Sequence, residues 1–441
     1  MPDRIDTPLF KVLKKIIPVE RDEWIPVLLA TAYGFCILLS YYILRPVRDE
    51  ISAEDRGNLQ ILWTAVFFVM VLAVPLYSSA VSRFSRAVFI PLANRFFALN
   101  LVLFYVALQF LPLTSRPWID RVFYVWTSVF ALFVVTVFWG FIVDLFRNRQ
   151  GKRVFGFIAM GSSAGGLVGS LVVTALATKV PTFVLLLIAI LPLEFAAWFA
   201  WFLHRRAGEG QETLRVEKER VPGNAWSGIR LLAKSPYLLT IGAFIFLMTY
   251  ASTVLYFHQG TLVRDFIPDR GARTEFYGWL DFWTNFLTLF GQMFVAAHIL
   301  KWLRIGMALA IVPGIALLGY LGLGLYPTLM VVAVFSIFYR AGRYSIARPA
   351  REVLFTVVNR EERYKSKAFI DAAVYRGGDL VNGWVITGLE MIGLTLAGIA
   401  FVAVPVMGVW MAVGFYLGRS QEERSRVWEE KEPASAEPEA G

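Results

Sequence analysis

Arginine in the middle of apolar runs is the feature of this sequence with the most chemical content. The run from 327 to 353 contains Arg340, Arg343, Arg348, Arg351 and Glu352. Only about a dozen apolar residues precede Arg340, so Arg340 and Arg343 fall near the midpoint of a stretch long enough to cross a bilayer. An ionisable side chain at that depth costs roughly 2.5–3.5 kcal/mol on insertion scales, which makes it a functional candidate by default. The run from 367 to 390 adds Asp371, Arg376 and Asp379, with Arg376 and Asp379 three apart and so on one helical face. The first apolar run ends Tyr41-Tyr42-Ile43-Leu44-Arg45-Pro46-Val47-Arg48-Asp49-Glu50, and single acids stand in other runs at Asp144, Glu194 and Asp281.

The guanidinium fork matches phosphate and carboxylate geometry. Between 327 and 390, Arg340, Arg343, Arg348, Arg351 and Arg376 outnumber Glu352, Asp371 and Asp379, a balance that favours an anionic solute. Arg45-Pro46-Val47-Arg48-Asp49 is echoed by Arg348-Pro349-Ala350-Arg351-Glu352, the first copy expected at an outer helix end and the second at an inner end. Such arginines can attract an anion when their side is open, while adjacent acids hold them when it is closed. The candidate substrate contacts are therefore Arg45, Arg48, Arg340, Arg343, Tyr344, Arg348, Arg351 and Arg376. The candidate gating or coupling acids are Asp49, Asp144, Glu194, Asp281, Glu352, Asp371 and Asp379. Snorkelling to headgroups plus structural ion pairs is the competing reading, strongest for Arg45. Tyr41, Tyr42, Tyr339, Tyr344 and Tyr375 offer stacking faces for a base, and equally serve as interfacial anchors.

The elements that must carry these residues are membrane helices. Of the residues, 57% are hydrophobic and 17% charged, with a mean hydropathy of +0.58, too apolar for a soluble domain of 441 residues. Twelve runs have spanning length: 23–45, 58–80, 87–112, 121–145, 154–177, 181–203, 236–257, 275–299, 303–325, 327–353, 367–390 and 392–417. The polar stretch 204–234 divides them into bundles at 23–203 and 235–418, so the expected fold is an all-α membrane protein of twelve transmembrane helices in a six-plus-six, major-facilitator-like architecture. Lys and Arg concentrate in alternate connections and in the linker, which predicts both termini cytoplasmic and explains the net charge of +10 without nucleic acid. Residues 1–22 read as an amphipathic segment on the inner membrane surface or as a frayed extension, and 419–441 as a disordered tail. Gly161, Gly165 and Gly169 share a helix face, where close helix packing is the default and a flexible pathway helix the alternative. Cys36 can form no internal disulfide. The sequence shows no catalytic constellation, phosphate loop or metal-ligand spacing, and implies no cofactor. The partners expected are the lipid bilayer and a small anionic solute.

Two motifs resemble the ATP/ADP translocase family of plastids and obligate intracellular bacteria, with their relatives in free-living bacteria. Ile43-Leu44-Arg45-Pro46-Val47-Arg48-Asp49 is similar to the family's first-span signature. Gly342-Arg343-Tyr344-Ser345 through Pro349-Ala350-Arg351-Glu352, then Lys365-Ser366-Lys367-Ala368-Phe369-Ile370-Asp371, is similar to its longest motif, and Phe138-Trp139-Gly140-Phe141 is a weaker third match. The resemblance implies ATP:ADP antiport in a bacterial inner membrane. It also implies that Arg48, Arg343 and Arg351 stand where the family has nucleotide-recognising lysines. Arg348 stands in place of an acid, and Tyr256-Phe257-His258-Gln259 departs from an acidic position in span seven, departures that suit a relative in a free-living organism. A proton-coupled carrier of another organic anion or drug, using Asp144, Glu194, Asp281 or Asp371, and a non-transporting scaffold or sensor are the alternatives.

Overall fold

A backbone crossing hydrocarbon has no water to satisfy its polar groups, and a helix satisfies them internally. The computed structural model describes residues 24–83, 86–146, 148–208, 235–295, 303–359, 366–367 and 369–431, and among these there is no strand. The helices are α1 (Trp24–Glu54), α2 (Leu59–Arg83), α3 (Arg86–Phe110), α4 (Arg116–Leu145), α5 (Asn148–Leu176) and α6 (Thr182–Gly208). They continue with α7 (Pro236–Phe266), α8 (Arg270–Phe290), α9 (Ile305–Leu325), α10 (Leu329–Leu354), α11 (Tyr375–Met391) and α12 (Leu396–Lys431). Three π turns interrupt or extend them: Gly291–Val295 after α8, Arg343–Ala347 within α10, and Ile370–Val374 before α11.

Among the described residues, 10 helices are long and apolar enough to cross a membrane. The two expected spans outside that set are α8 and α11. Their described segments are diluted by Arg270, Arg273, Glu275 and Asp281 in one, and by Arg376, Asp379 and Glu390 in the other. The amphipathic segment expected at 1–22 and most of the 204–234 linker lie outside the described residues. The tail differs from expectation: α12 runs on through Arg419 to Lys431. Glu, Arg and Lys there are good helix formers, and Arg424 stacks 4.6 Å from the Tyr237 ring centroid, tethering the extension.

By internal contact the chain divides into two units, the first drawn from Met1–Glu217 with Arg264–Asn285, the second from Lys218–Val263 with Phe286–Gly441. In the first, α1 packs on α5, α6 and α4, and α3 packs on α6. Close approach explains the glycine face. A Cβ on Gly165 would sit 2.1 Å from the Phe35 carbonyl oxygen, and one on Gly169 2.6 Å from that of Leu39, so α5 lies backbone to backbone against α1. The same device draws α8 into this unit: a Cβ on Gly271 would lie 2.7 Å from the Ala177 oxygen, and one on Gly278 2.9 Å from Thr174 Oγ1. The sequence-based division assigned 264–285 to the second bundle, whereas its contacts are with the first. In the second unit α9 packs chiefly on α12 and α10.

Candidate functional site

The end of α1 holds the first group of candidates, all within the first unit. Asp49 and Asp281 are 3% and 1% exposed, and two carboxylates so deeply buried require cations. Arg45 supplies one, lying 3.3 Å from Asp281 Oδ1 and 3.6 Å from Asp49 Oδ2. Arg48 leans the other way. Its Nη2 donates to the Tyr124 hydroxyl at 3.2 Å, its guanidinium sits 4.5 Å from the Tyr124 ring centroid, and its Nη1 lies 3.7 Å from Asp49. Trp63 Nε1 donates to the same Tyr124 oxygen at 2.7 Å, which fixes the ring under Arg48. Arg45 is thus compensated by two acids, whereas Arg48 mostly rests on an aromatic face.

Beyond these lies a network that sequence reasoning missed. Glu50, fully buried, accepts a fork from Arg270, with Nε and Nη2 at 2.9 and 2.8 Å from its two oxygens. Arg270 also reaches Asp120 at 2.9 Å, and Arg273 pairs with Glu50 at 3.2 Å and with Glu54. A small cavity of about 10 Å³ lies among Glu50, Arg116, Asp120 and Arg270, room for one water at most. Arg121 and Asp55 pair at 2.6 Å nearby. The start of α8 is clamped in this way to the end of α1 and the start of α4. The only signal in the sequence was that Glu50 follows Asp49 inside an apolar helix; its partners Arg270 and Arg273 lie more than 200 positions away, and no spacing rule joins them.

The second unit holds the second group. Arg343 opens the π turn of α10, roughly 21 Å along the helix from Leu329 at 1.5 Å per residue. Its Nη1 donates to Ser252 Oγ on α7 at 2.8 Å, its Nη2 to the Tyr344 hydroxyl at 3.0 Å, and the guanidinium lies 4.9 Å from the Tyr344 ring centroid. Ser252 is braced by the buried Tyr339 hydroxyl at 3.0 Å, and Tyr339 donates to the Met248 carbonyl at 3.1 Å. Every polar partner of Arg343 among the described residues is therefore a neutral hydroxyl; no carboxylate cancels its charge. Ser252 carried no motif and was not singled out from the sequence.

The other candidates are disposed differently. Arg351 lies 3.1 Å from Asp371 and 3.4 Å from Glu352, and Glu352 also pairs with Lys367, so these acids and bases neutralise one another at the far end of α10. Arg376 and Asp379 approach to 3.7 Å across one turn of α11, with Tyr375 beside them. Arg340 is half-buried on α10, and Arg348 is exposed. Glu194 does not join the other candidates; it pairs at 3.6 Å with Arg95 on the outward face of the first unit. The Asp144 side chain lies outside the described residues. No group of three or more His, Cys, Asp or Glu among the described residues could hold a metal ion.

With no strand among the described residues and 10 helices long and apolar enough to cross a membrane, the chain is an integral membrane protein. Residues 30–363 match the Major Facilitator Superfamily, and the chain belongs to that family. Its sequence is 20% identical to ADP,ATP carrier protein 1 of Chlamydia trachomatis serovar D, over 93% of this chain and 91% of that one. It is 21% identical to the chloroplastic ADP,ATP carrier protein 1 of Arabidopsis thaliana, over 95% of this chain and 76% of the relative. The fold is that of a bacterial homologue of the human lysosomal transporter Spinster, with a TM-score of 0.63 at 14% identity over 92% of this chain and 99% of that one. The nucleoside transporter NupG gives a TM-score of 0.62 at 13% identity over 91% and 99%. The resemblance to the ATP/ADP translocases read from two short motifs thus extends along the whole chain, and these relatives are carriers, not enzymes.

Proposed function

We propose that this protein is a secondary carrier of the ATP/ADP translocase type that moves a nucleotide or a related phosphorylated anion by exchange through alternating access. The observation that carries the reading is Arg343, whose fork is held by the hydroxyls of Ser252 and Tyr344 and by no acid, leaving a full positive charge for the solute. A guanidinium placed this way offers a phosphate charge-assisted hydrogen bonds at little cost in reorganisation. Tyr344 and Tyr375, both partly exposed, put aromatic surface beside it, suited to a base. Arg48, held on Tyr124, is the matching cation of the first unit, Arg340 and Arg348 add to the positive field of the second, and Arg351 and Arg376 join it when their acids let go. Asp49, Asp281, Glu352, Asp371 and Asp379 act as counter-charges that release and recapture these arginines as the carrier cycles. The relatives named as ADP,ATP carriers support the substrate class.

In this reading α8 and α11 also cross the membrane, giving twelve spans with both termini in the cytoplasm of a bacterium and the chain in its inner membrane. A proton-coupled carrier is the second reading, favoured by Asp281, which is 1% exposed beside Arg45 and so placed to exchange its ion pair for a proton. Counterflow into proteoliposomes preloaded with single nucleotides separates the two. Exchange predicts uptake of labelled ADP that depends on internal ATP or ADP and ignores an imposed pH gradient. Uptake that follows the pH gradient and needs no internal nucleotide refutes it.

A further inference from the structure

One ion pair in the first unit lies where the transport reading has no use for it. Arg95 on α3 and Glu194 on α6 approach to 3.6 Å with side chains 67% and 47% exposed, and among the described residues neither has another partner. Both stand well inside their helices. At 1.5 Å per residue, Arg95 is roughly 13 Å along from Arg86, and Glu194 roughly 18 Å from Thr182 and 16 Å from Arg205, in a hydrocarbon layer about 30 Å thick. An exposed carboxylate at that depth faces lipid tails, which offer it no donor, and its short side chain cannot reach a headgroup. One long contact to Arg95 leaves most of the guanidinium's donors open as well.

The surrounding surface has a pattern of its own. Leu92, Phe96, Leu99 and Leu103 are all exposed on α3 and recur at alternating spacings of four and three, the seam spacing of paired helices. Leu191 and Phe195 flank Glu194 on α6 and are also exposed. A patch that carries one positive and one negative charge side by side is complementary to itself under a two-fold rotation. We infer that this α3–α6 face is where a second copy of the chain docks, with Arg95 of each copy meeting Glu194 of the other inside a seam of apolar side chains. A lipid phosphate could serve Arg95 but leaves Glu194 unmet, whereas a second copy serves both.

The test is the oligomeric state in liposomes, counted by single-molecule photobleaching over a range of protein-to-lipid ratios. Wild type is expected to form dimers. Arg95→Glu and Glu194→Arg, each alone, place like charges across the axis and should associate at least about tenfold more weakly. Mixed together, the two variants should pair again, because each then meets an opposite charge on its partner while the clash within each chain remains; a purely internal role for the ion pair predicts no such recovery. Wild-type monomers at every density, or variants that dimerise unchanged, overturn the inference. If either charge variant fails to fold, Leu99→Cys in a Cys36→Ser background decides. A short bis-maleimide should give covalent dimers in the membrane, and their absence counts against the proposal.

Discussion

Arg343 and Arg45 show how the same side chain takes opposite roles by the company it keeps. Arg45 is neutralised by Asp281 and Asp49, and removing one acid leaves a buried charge exposed to the low-dielectric interior. Asp281→Asn is expected to destabilise the protein by about 3–5 kcal/mol, while adding Arg45→Gln recovers much of that loss; thermal unfolding of the two single variants and the double variant measures it, and strict additivity contradicts it. Arg343 is oriented instead by hydroxyls, and Ser252 holds one arm of its fork at 2.8 Å. Losing one hydrogen bond to a charged group is worth roughly 1.5–3 kcal/mol. Ser252→Ala should therefore weaken solute half-saturation by about tenfold or more with little change in melting temperature, and an unchanged half-saturation argues that Ser252 positions nothing. Both arginines were legible in the sequence because a charge in an apolar run stands out, and Asp49, Asp281 and Tyr344 were singled out on similar grounds. Ser252 was not, since a serine on a helix far away in sequence has no distinguishing neighbours.

At the scale of elements, the glycine face of α5 sets how closely α1 can lie. Gly165→Val puts side-chain atoms where the Phe35 backbone oxygen stands, and backbone cannot swing aside as a side chain can. A loss of several kcal/mol is expected, on the scale of severe overpacking, against a near-neutral Gly377→Ala, whose new Cβ meets nothing within 4 Å. Equal melting temperatures for the two variants would show that α1 and α5 have room to part. The spacing of four between these glycines was readable in advance because helical periodicity is a local property. The π turns at Arg343–Ala347 and Ile370–Val374 were not, because an extra residue in a helical turn leaves no mark in composition. The continuation of α12 to Lys431 was missed for a related reason: Glu- and Arg-rich sequence reads as solvated tail unless a contact such as Arg424 on Tyr237 is known.

For the molecule as a whole, hydropathy gave the helices and their order, and the polar stretch at 204–234 the expected division. It could not show that Arg264–Asn285 belongs by contact with the first unit, since that depends on Arg270 and Arg273 finding Glu50, Glu54 and Asp120. The clamp has a consequence for the working cycle. Arg270→Ala strands the buried Glu50 carboxylate with Arg273 as its remaining cation, and should loosen α8 from the first unit; faster amide exchange in α8 is expected, and unchanged exchange there would deny the clamp any mechanical role. In the proposed cycle, the arginine left uncompensated within the second unit recognises the anion being carried. Labelled ADP uptake into ATP-loaded proteoliposomes, compared between wild type and Arg343→Ala at matched incorporation, tests it most directly. Robust uptake by wild type and none by the variant is the expected result, and equal uptake by the two would contradict it.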